Sequence, residues 1–378
     1  MKKTAIFSAL LLSALIGYAE VPENYKQKYA SLAGQAGEEL FDAISAIAAE
    51  GYQAHTYGDL WTYFRTTDVT ADSMIWDMYS DCSFIPGTNQ CGNYSKVCDC
   101  YNREHSLPKS WFGGSTSNAP GNDLFHLYPT DGKVNGQRSN YPFGECSDGS
   151  SLGGQALGRL GSSTLAGYEQ AGVVFEPDAQ YKGDFARSYF GMLVRYGRTF
   201  AFNQADGGVV MFSNSGGSIS ADNHFGFTPY SVALLMGWDA ADSVSQKETD
   251  RNDAIQNTQG NRNPFIDCPV LAQYLWGQKA GQAVAMQDLV DCGCAEASSE
   301  PSRVEQVAFP SLTLTPTAEG CTLTCMPMGA TVAVVSANGQ LLQLQAVSSS
   351  ECTIALPEGF YLLIVRSGSR QQAFKVLK

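Results

Sequence analysis

The stretch that decides the fold is YNREHSLPKSW, residues Tyr101–Trp111. Within it Glu104 precedes His105, and two cationic residues, Arg103 and Lys109, lie close by. These residue types can provide a metal ligand, a general base and contacts to phosphate within one short segment. Because an isolated Glu-His pair is more often an ordinary surface or core pair, the interpretation depends on the residues that surround it.

The residues after this stretch predict two extended arms followed by a helix. The first arm is the run Cys98–His105, and the second is the apolar run Leu124–Tyr128. Thr130 or Asp131 can cap a helix that carries Asn135 about one turn from its start. A carboxylate from the first arm and an Asn oxygen from the helix can hold one hard cation between them, with the histidine opposite as general base.

The run Tyr101–Glu145 resembles bacterial endonuclease I, which belongs to the His-Me finger (ββα-metal) nucleases. The similarity extends over roughly residues 36–280. The matching blocks are NREHSLPKSWF (102–112), DLFHLYPTDGKVNGQRSNYPFGE (123–145), FEP and YKGDFAR (175–187) and QGNRNPFIDCP (259–269). The resemblance implies an α+β fold with a mainly helical nuclease domain built around a ββα-metal finger.

The resemblance also implies a role for each matching residue. His105 corresponds to the general base that activates water, and Glu104 and Asn135 correspond to the ligands of one divalent cation. The cation is usually Mg²⁺ in this family, with Ca²⁺ or Mn²⁺ as alternatives. The implied reaction is sequence-nonspecific hydrolysis of DNA, with RNA as a further substrate, that leaves 5′-phosphate and 3′-hydroxyl ends.

Three cationic side chains near these residues are further candidates. Arg138 follows Asn135 by one helical turn, so the two share a helix face. We interpret Arg138 either as a phosphate clamp that acts in catalysis or as a structural salt-bridge partner. Arg103 and Lys109 are candidate substrate-binding residues.

Two positions depart from the family pattern. Phe125 and His126 stand where the family usually has two histidines, so one histidine that could support the finger is lost. We expect His126, together with Asp123, to orient the catalytic residues from behind. Cys268 replaces a histidine of many relatives. Neither change affects the implied base or metal ligands.

A second candidate nucleic-acid surface is the predicted helix Asp184–Arg198. Arg187, Arg195 and Arg198 lie on one face of this helix, with Gly191 between them. A phosphate backbone could approach such a strip closely. The alternative is an arginine face that pairs with the many carboxylates of the chain.

The charge of the chain limits this interpretation. The 378 residues carry a formal net charge of −13, which argues against a general polyanion binder. Residues 96–145, however, balance five cations against five acids. We therefore predict a narrow basic groove on an acidic body. We also predict a monomer that binds nucleic acid weakly and depends on the metal to offset the repulsion between the chain and the phosphates.

The N-terminus and the cysteines predict export. Residues 1–19 have the two lysines, the short apolar stretch and the small residues of a secretory signal. No apolar stretch is long enough to span a membrane. All eleven cysteines follow the signal, so disulfides are expected, with at least one thiol left over. The C-x-C pairs Cys98/Cys100 and Cys292/Cys294 leave a four-thiolate zinc site as an alternative.

The composition changes after the nuclease domain, which we place at 20–295. Residues 296–308 are a predicted linker, and 309–378 read as a small β-sandwich with a hairpin turn at Asn338-Gly339. This tail resembles the C-terminal sorting domains of type IX secretion cargo in Bacteroidetes. The resemblance implies export to the cell surface or the medium by that machinery. An ordinary accessory β-sandwich is the alternative.

Two functions of other classes stay open on the sequence alone. One is a catalytically inactive, disulfide-stapled surface binding protein that retained the nuclease fold. The other is a phosphodiesterase of smaller substrates, which a closed pocket in place of an open groove would indicate. The intact set of Glu104, His105 and Asn135 favours the nuclease.

Overall fold

The computed structural model describes residues 21–295, 309, 311–336, 340–367 and 370–378. The chain divides into two units, one up to residue 297 and the other from residue 298. The predicted signal, the predicted linker and the predicted Asn338-Gly339 turn lie outside the described residues. Among the helices that are described, none combines the length and the apolar character needed to cross a membrane.

The first unit is mainly helical. Local chemistry explains several helix boundaries: Ser245 and Glu248 form a capping box at the start of one helix, and that helix ends at Gly260, where φ is 90°. The helices are α1 (Glu23–Ala30), α2 (Gly37–Ala49), α3 (Leu60–Thr67), α4 (Gly132–Arg138), α5 (Lys182–Tyr196), α6 (Asp206–Met211), α7 (Pro229–Ala241), α8 (Gln246–Gln259), α9 (Pro264–Asp267), α10 (Val270–Leu275) and α11 (Met286–Asp291).

Two small antiparallel sheets accompany these helices. The sheet that matters for the site pairs β1 (Tyr101–His105) with β2 (Leu127–Asp131), and His105 lies opposite Leu127. The second sheet has the order β3-β4-β5, from Ser150–Ser151, Arg159–Ser162 and Val173–Glu176. β2 begins later than the predicted second arm, because the Asp123 carboxylate accepts a hydrogen bond from the Phe125 amide (2.8 Å) and holds residues 124–126 in a turn.

β2 leads directly into α4, and Asp131 connects the two elements. One carboxylate oxygen of Asp131 accepts hydrogen bonds from the amides of Lys133 (2.8 Å) and Val134 (2.9 Å), so this residue, and not Thr130, caps the helix. The other oxygen accepts a hydrogen bond from the Cys98 amide at 2.6 Å. Asp131 therefore joins the segment before β1 to the start of α4.

Three disulfides lie in the described part of the first unit. They pair Cys82 with Cys98, Cys91 with Cys100, and Cys268 with Cys294. The two neighbouring cysteines Cys98 and Cys100 thus have different partners, which agrees with the disulfide interpretation of that pair. The cysteines without a disulfide are Cys146, Cys292, Cys321, Cys325 and Cys352.

Helix α5 lies at the centre of the first unit. All of its residues except Lys182 and Arg195 are buried. A Cβ atom added at Gly191 would lie 2.9 Å from the side-chain amide of Asn263. This glycine therefore permits close packing between α5 and the loop before α9, in place of the close approach of a phosphate backbone that we predicted.

The second unit consists of two antiparallel sheets. One has the order β10-β7-β6 and the other β12-β11-β8-β9. Buried side chains of both sheets form one hydrophobic cluster, which includes Leu323, Val334 and Leu363. The strands are β6 (Thr313–Thr317), β7 (Gly320–Thr324), β8 (Thr331–Ser336), β9 (Leu341–Ala346), β10 (Glu351–Ala355), β11 (Phe360–Ser367) and β12 (Arg370–Leu377). Together the two units confirm the predicted α+β class.

Candidate active site

A cavity of about 440 Å³ lies at the end of β1 and along α4. It brings together six of the residues predicted from the sequence. Its charged lining comprises three cations and one carboxylate, so the cavity is basic although the chain as a whole is acidic. The lining residues are Tyr57, Arg103, Glu104, His105, Pro108, Lys109, Ser110, Asn135, Arg138, Ser139 and Asn140.

His105 has the protonation state of a base. Its Nε2 lies 3.0 Å from the backbone carbonyl of Gly121. A carbonyl oxygen only accepts hydrogen bonds, so Nε2 carries the proton and Nδ1 keeps a free lone pair. The side chain is only 7% exposed, and burial, reinforced by His126 and nearby cations, lowers the pKa of His105 to about 3. The imidazole is therefore neutral at neutral pH.

Among the residues that the structure describes, Glu104 is the only carboxylate that lines the cavity. It is 3% exposed, and its Oε1 accepts a hydrogen bond from the Tyr79 hydroxyl (2.9 Å) and lies 3.3 Å from Nη1 of Arg138. Burial raises the pKa of Glu104 to about 7, although Arg138 and Tyr79 act in the opposite direction. Both contacts thus join the same oxygen of Glu104, Oε1.

Asn135 presents its amide from α4. Its Nδ2 donates a hydrogen bond to the side-chain oxygen of Asn102 at 2.7 Å, which fixes the orientation of the amide and leaves Oδ1 as the remaining polar atom. A carboxylate oxygen and an amide oxygen that line one cavity are the hard donors that Mg²⁺, Mn²⁺ or Ca²⁺ prefers. Glu104 and Asn135 therefore fit one divalent cation that keeps several water ligands.

Arg138 lies beneath the site and not at its mouth. Its side chain is fully buried, and Nη2 donates to the carbonyl of Ser106 (2.7 Å) while Nη1 donates to that of Ser139 (3.2 Å). The same Nη1 forms the ion pair with Glu104. This geometry corrects the phosphate-clamp interpretation and agrees with the salt-bridge alternative.

Two cations remain at the rim of the cavity. The guanidinium of Arg103 lies 3.8 Å from the ring centroid of Tyr57 and 4.5 Å from that of Trp61, and it donates to the Tyr57 carbonyl at 2.7 Å. Lys109 is exposed and lines the same cavity. Arg103 is held in place, whereas Lys109 extends towards solvent, and both are suited to contact an anionic substrate.

His126 supports the site from behind. It is fully buried, and its Nε2 donates to the carbonyl of Pro120 at 2.6 Å. The two histidine rings lie 5.5 Å apart, and they bind the carbonyls of the consecutive residues Pro120 and Gly121. Burial lowers the pKa of His126 to about 4, so this ring is also neutral. His126 therefore anchors the loop whose Gly121 carbonyl accepts the hydrogen bond from His105.

Asp123, in contrast, does not contact the predicted catalytic residues. Its carboxylate accepts hydrogen bonds from the Tyr196 hydroxyl (2.7 Å) and from Gln259 (3.1 Å), and it lies 3.3 Å from Arg195. These contacts hold the loop between the strands against α5 and α8. Asp123 therefore packs the loop that carries His126, and its predicted orienting role stays a prediction.

The prediction of a phosphate-binding strip on α5 is wrong, because its arginines already bind carboxylates and backbone carbonyls of the protein. Arg187 is 1% exposed and binds Glu248 (2.6 Å) and Asp239 (3.0 Å). The other two arginines bind groups from the N-terminal helices and the loops. Arg195 pairs with Asp123 and donates to the Ala48 carbonyl, and Arg198 pairs with Asp42 (2.9 Å) and Glu38 (3.4 Å).

Sequence reasoning missed three contributors to the site. Tyr57 packs against both Arg103 and His105, Tyr79 binds Glu104, and the Gly121 carbonyl fixes the tautomer of His105. Tyr57 and Tyr79 come from segments far upstream of β1. The Gly121 contact is made by a backbone atom, so no side-chain pattern marks it.

A neutral histidine, a buried carboxylate and two rim cations around one cavity are groups that hydrolases of anionic substrates use. The comparisons with known proteins identify the class more closely. A family model for Endonuclease I matches residues 35–270. The chain belongs to the Endonuclease I family and is a nuclease, which confirms the resemblance seen in the sequence.

Three relatives illustrate this family membership. The extracellular ribonuclease of Bacillus amyloliquefaciens is 32% identical over 270 residues, which cover 70% of this chain and 82% of that protein. The extracellular ribonuclease of Bacillus subtilis is 30% identical over 253 residues, with shares of 66% and 77%. An extracellular deoxyribonuclease of Aeromonas hydrophila is 24% identical over 205 residues, with shares of 50% and 72%.

Proposed function

We propose that this chain is an exported, divalent-metal-dependent, sequence-nonspecific endonuclease of DNA and RNA. The observation that carries the proposal is the state of His105. Its Nε2 proton is committed to the Gly121 carbonyl, so Nδ1 is an unprotonated base in a cavity that Glu104 and Asn135 also line. A general base for water and two oxygen donors for a cation are the groups that phosphodiester hydrolysis requires.

In the proposed reaction each side chain has a defined task. His105 takes a proton from water on Nδ1 and is the catalytic base of the β1-β2-α4 unit, which corresponds to a ββα-metal finger. Glu104 and Asn135 would hold one cation, Mg²⁺ first, with Mn²⁺ or Ca²⁺ as alternatives. When bound, this cation would supply charge neutralisation at the phosphate and at the leaving 3′ oxygen. The products would carry 5′-phosphate ends.

The other residues of the site bind substrate or position these groups. Arg103 and Lys109 are the proposed substrate contacts, because both cations line the mouth of the cavity. Arg138 favours the carboxylate form of Glu104 and fixes the end of β1 through backbone carbonyls. The buried position of Arg138 supports this positioning role.

The choice of both nucleic acids as substrates rests on the relatives. Two of the three relatives described above are named ribonucleases and one is named a deoxyribonuclease. The rim cations can contact a phosphate in either polymer. The comparisons give no support to the alternative of an inactive binding protein, since the relatives named above are nucleases.

We also propose that the chain acts outside the cytoplasm as a monomer. The predicted signal at 1–19, the disulfides of the first unit and the extracellular names of the relatives support export. The two-sheet second unit with its own core supports a β-sandwich that serves as a type IX sorting domain. Deletion of residues 309–378 should then leave nuclease activity intact and abolish release from the cell.

A cleavage assay tests the proposed function. Supercoiled plasmid and a single-stranded RNA are incubated with the full chain in Mg²⁺, Mn²⁺, Ca²⁺ or EDTA. We expect nicking of DNA and cleavage of RNA with a divalent ion and neither in EDTA, and we expect Glu104→Gln and Asn135→Ala to raise the metal concentration required. Cleavage that persists undiminished in EDTA, or no cleavage with any ion, would contradict the proposal.

A further inference from the structure

We infer that Tyr57 is a positioning residue for the general base, an inference that rests on the proposed function of His105. Tyr57 lies outside the β1-β2-α4 unit, in the loop between α2 and α3. Its ring stacks on the imidazole of His105 with 5.5 Å between the ring centroids and 18° between the ring planes. Nothing in the sequence pattern of the finger indicates this contact.

The stack with Tyr57 restricts a rotation of the His105 ring that the hydrogen bond to Gly121 leaves free. The hydrogen bond of His105 runs from Nε2 to Gly121, roughly along the long axis of the ring. A ring held at Cβ and at Nε2 can still rotate about the axis that joins them. Nδ1 lies off this axis, so such a rotation would carry the basic lone pair away from the water that it must deprotonate. A flat aromatic ring stacked on the imidazole fixes the plane in which Nδ1 lies.

Tyr57 also holds the neighbouring cation. Its carbonyl accepts a hydrogen bond from Nη1 of Arg103, and the guanidinium of Arg103 lies over its ring. Arg103 and His105 are two residues apart on β1 and therefore point to the same side of the strand. One loop residue thus fixes the relative positions of the proposed base and a proposed phosphate contact.

The chain contains a matched control for this contact. Tyr63 makes an edge-to-face contact with the ring of His55, with 5.2 Å between the centroids. Neither residue lines the cavity. Replacement of Tyr63 therefore removes a tyrosine-histidine ring contact, edge-to-face in place of stacked, without touching the proposed site.

The experiment measures kcat and KM for Tyr57→Phe, Tyr57→Leu and Tyr63→Leu. Because misplacement of a catalytic group by about 1 Å can cost about 100-fold in rate, we expect Tyr57→Leu to lower kcat by about 10- to 100-fold. Tyr57→Phe keeps the ring and should stay within about twofold of the wild type, as should Tyr63→Leu. The change in KM for Tyr57→Leu should be smaller than the change in kcat.

A second background separates positioning from other effects. In a His105→Ala chain the base is absent, so Tyr57→Leu should cause a much smaller loss there than in the wild-type background, limited to its effect through Arg103. An equal loss in both backgrounds, or an unchanged kcat for Tyr57→Leu, would overturn the inference. If His105→Ala alone were as active as the wild type, the proposed function itself would fail, whatever the result for Tyr57.

If Tyr57→Leu fails to fold, NMR spectra of the wild type and Tyr57→Phe provide the test. The measured quantity is the ring-current shift of the proton on Cε1 of His105. We expect the same upfield shift in both proteins. A random-coil chemical shift in the wild type would show that the rings do not stack, and the inference would be wrong.

Discussion

Replacement of Arg138 by methionine tests whether this residue stabilises the site or binds phosphate. Methionine keeps most of the volume and removes the charge. The change leaves the carboxylate of Glu104, only 3% exposed, without its ion-pair partner at 3.3 Å. It also leaves the carbonyls of Ser106 and Ser139 without the donors that now lie at 2.7 Å and 3.2 Å. The Glu104 carboxylate and the Ser106 carbonyl are buried, so water replaces their lost donor poorly, whereas the Ser139 carbonyl belongs to an exposed residue that water can reach.

The expected loss of stability is large. Removal of one partner of a buried ion pair costs about 3–5 kcal/mol, because the group that stays is buried without its partner and, in the case of Glu104, has to take up a proton. We therefore expect Arg138→Met to lower the free energy of unfolding of the first unit by about 4 kcal/mol. The double variant Glu104→Gln/Arg138→Met removes both charges and should lose less than the sum of the two single variants.

Tryptophan fluorescence in urea measures the unfolding of the first unit, which contains Arg138. All five tryptophans of the chain lie in the first unit, at positions 61, 76, 111, 238 and 276. The measurements are made in EDTA, so that metal binding does not contribute to stability. Arg103→Met serves as the control, because Arg103 lies at the rim of the cavity and its removal leaves no buried charge unpaired.

The opposite result would refute the reasoning. If Arg138→Met changed stability by less than about 1 kcal/mol and reduced affinity for DNA, Arg138 would be a phosphate contact. The slope of log affinity against log salt would then become shallower by about 0.9 per lost contact. That outcome would restore the phosphate clamp and reject the buried ion pair.

Three further predictions concern residues outside the catalytic set. Arg195→Ala should destabilise the first unit, because Asp123 loses its cation. It should leave the affinity for DNA, and the slope of log affinity against log salt, unchanged. A shallower slope in binding assays would restore the arginine strip. Asp131→Ala should cost about 1–2 kcal/mol in urea denaturation, because two amides in the first turn of α4 lose their acceptor, and an unchanged midpoint would contradict the capping role. Burial alone would raise the pKa of Glu176, but hydrogen bonds from Lys182 and other donors lower it to about 2. At a pH above the pKa of Glu176 in the unfolded chain, its carboxylate therefore stabilises the fold. This contribution is lost as the pH falls towards 2. Glu176→Gln should therefore unfold more readily than the wild type at pH 7 and differ little from it at pH 2, and an equal difference at both pH values would contradict the shift.

The part of the site that sequence predicts well is the part that is local in the chain. Glu104 and His105 are adjacent, and Asp131 caps the helix that carries Asn135 one turn later. Pairing of β1 with β2 brings these residues to one cavity, so short-range patterns are sufficient to place them. The shift of β2 relative to its predicted position followed from a turn that one carboxylate closes.

The predictions that were wrong depended on what covers a helix face. Helical periodicity correctly places Arg187 and Arg195 on one side of α5. It does not reveal that Glu248 of α8 and Asp123 of the inter-strand loop pack against that side. The contact of Tyr57 with His105 was missed for the same reason, because it depends on tertiary packing between distant segments.

The central claim is that His105 is the base of a metal-dependent nuclease, and a matched pair of histidine variants tests it most directly. The rate of plasmid nicking in Mg²⁺ is measured for the wild type, His105→Ala and His55→Ala. His55 lies outside the cavity and serves as the control. We expect His105→Ala to lower the rate by about 100- to 10,000-fold and His55→Ala to leave it within about twofold. Equal rates for the wild type and His105→Ala would contradict the account.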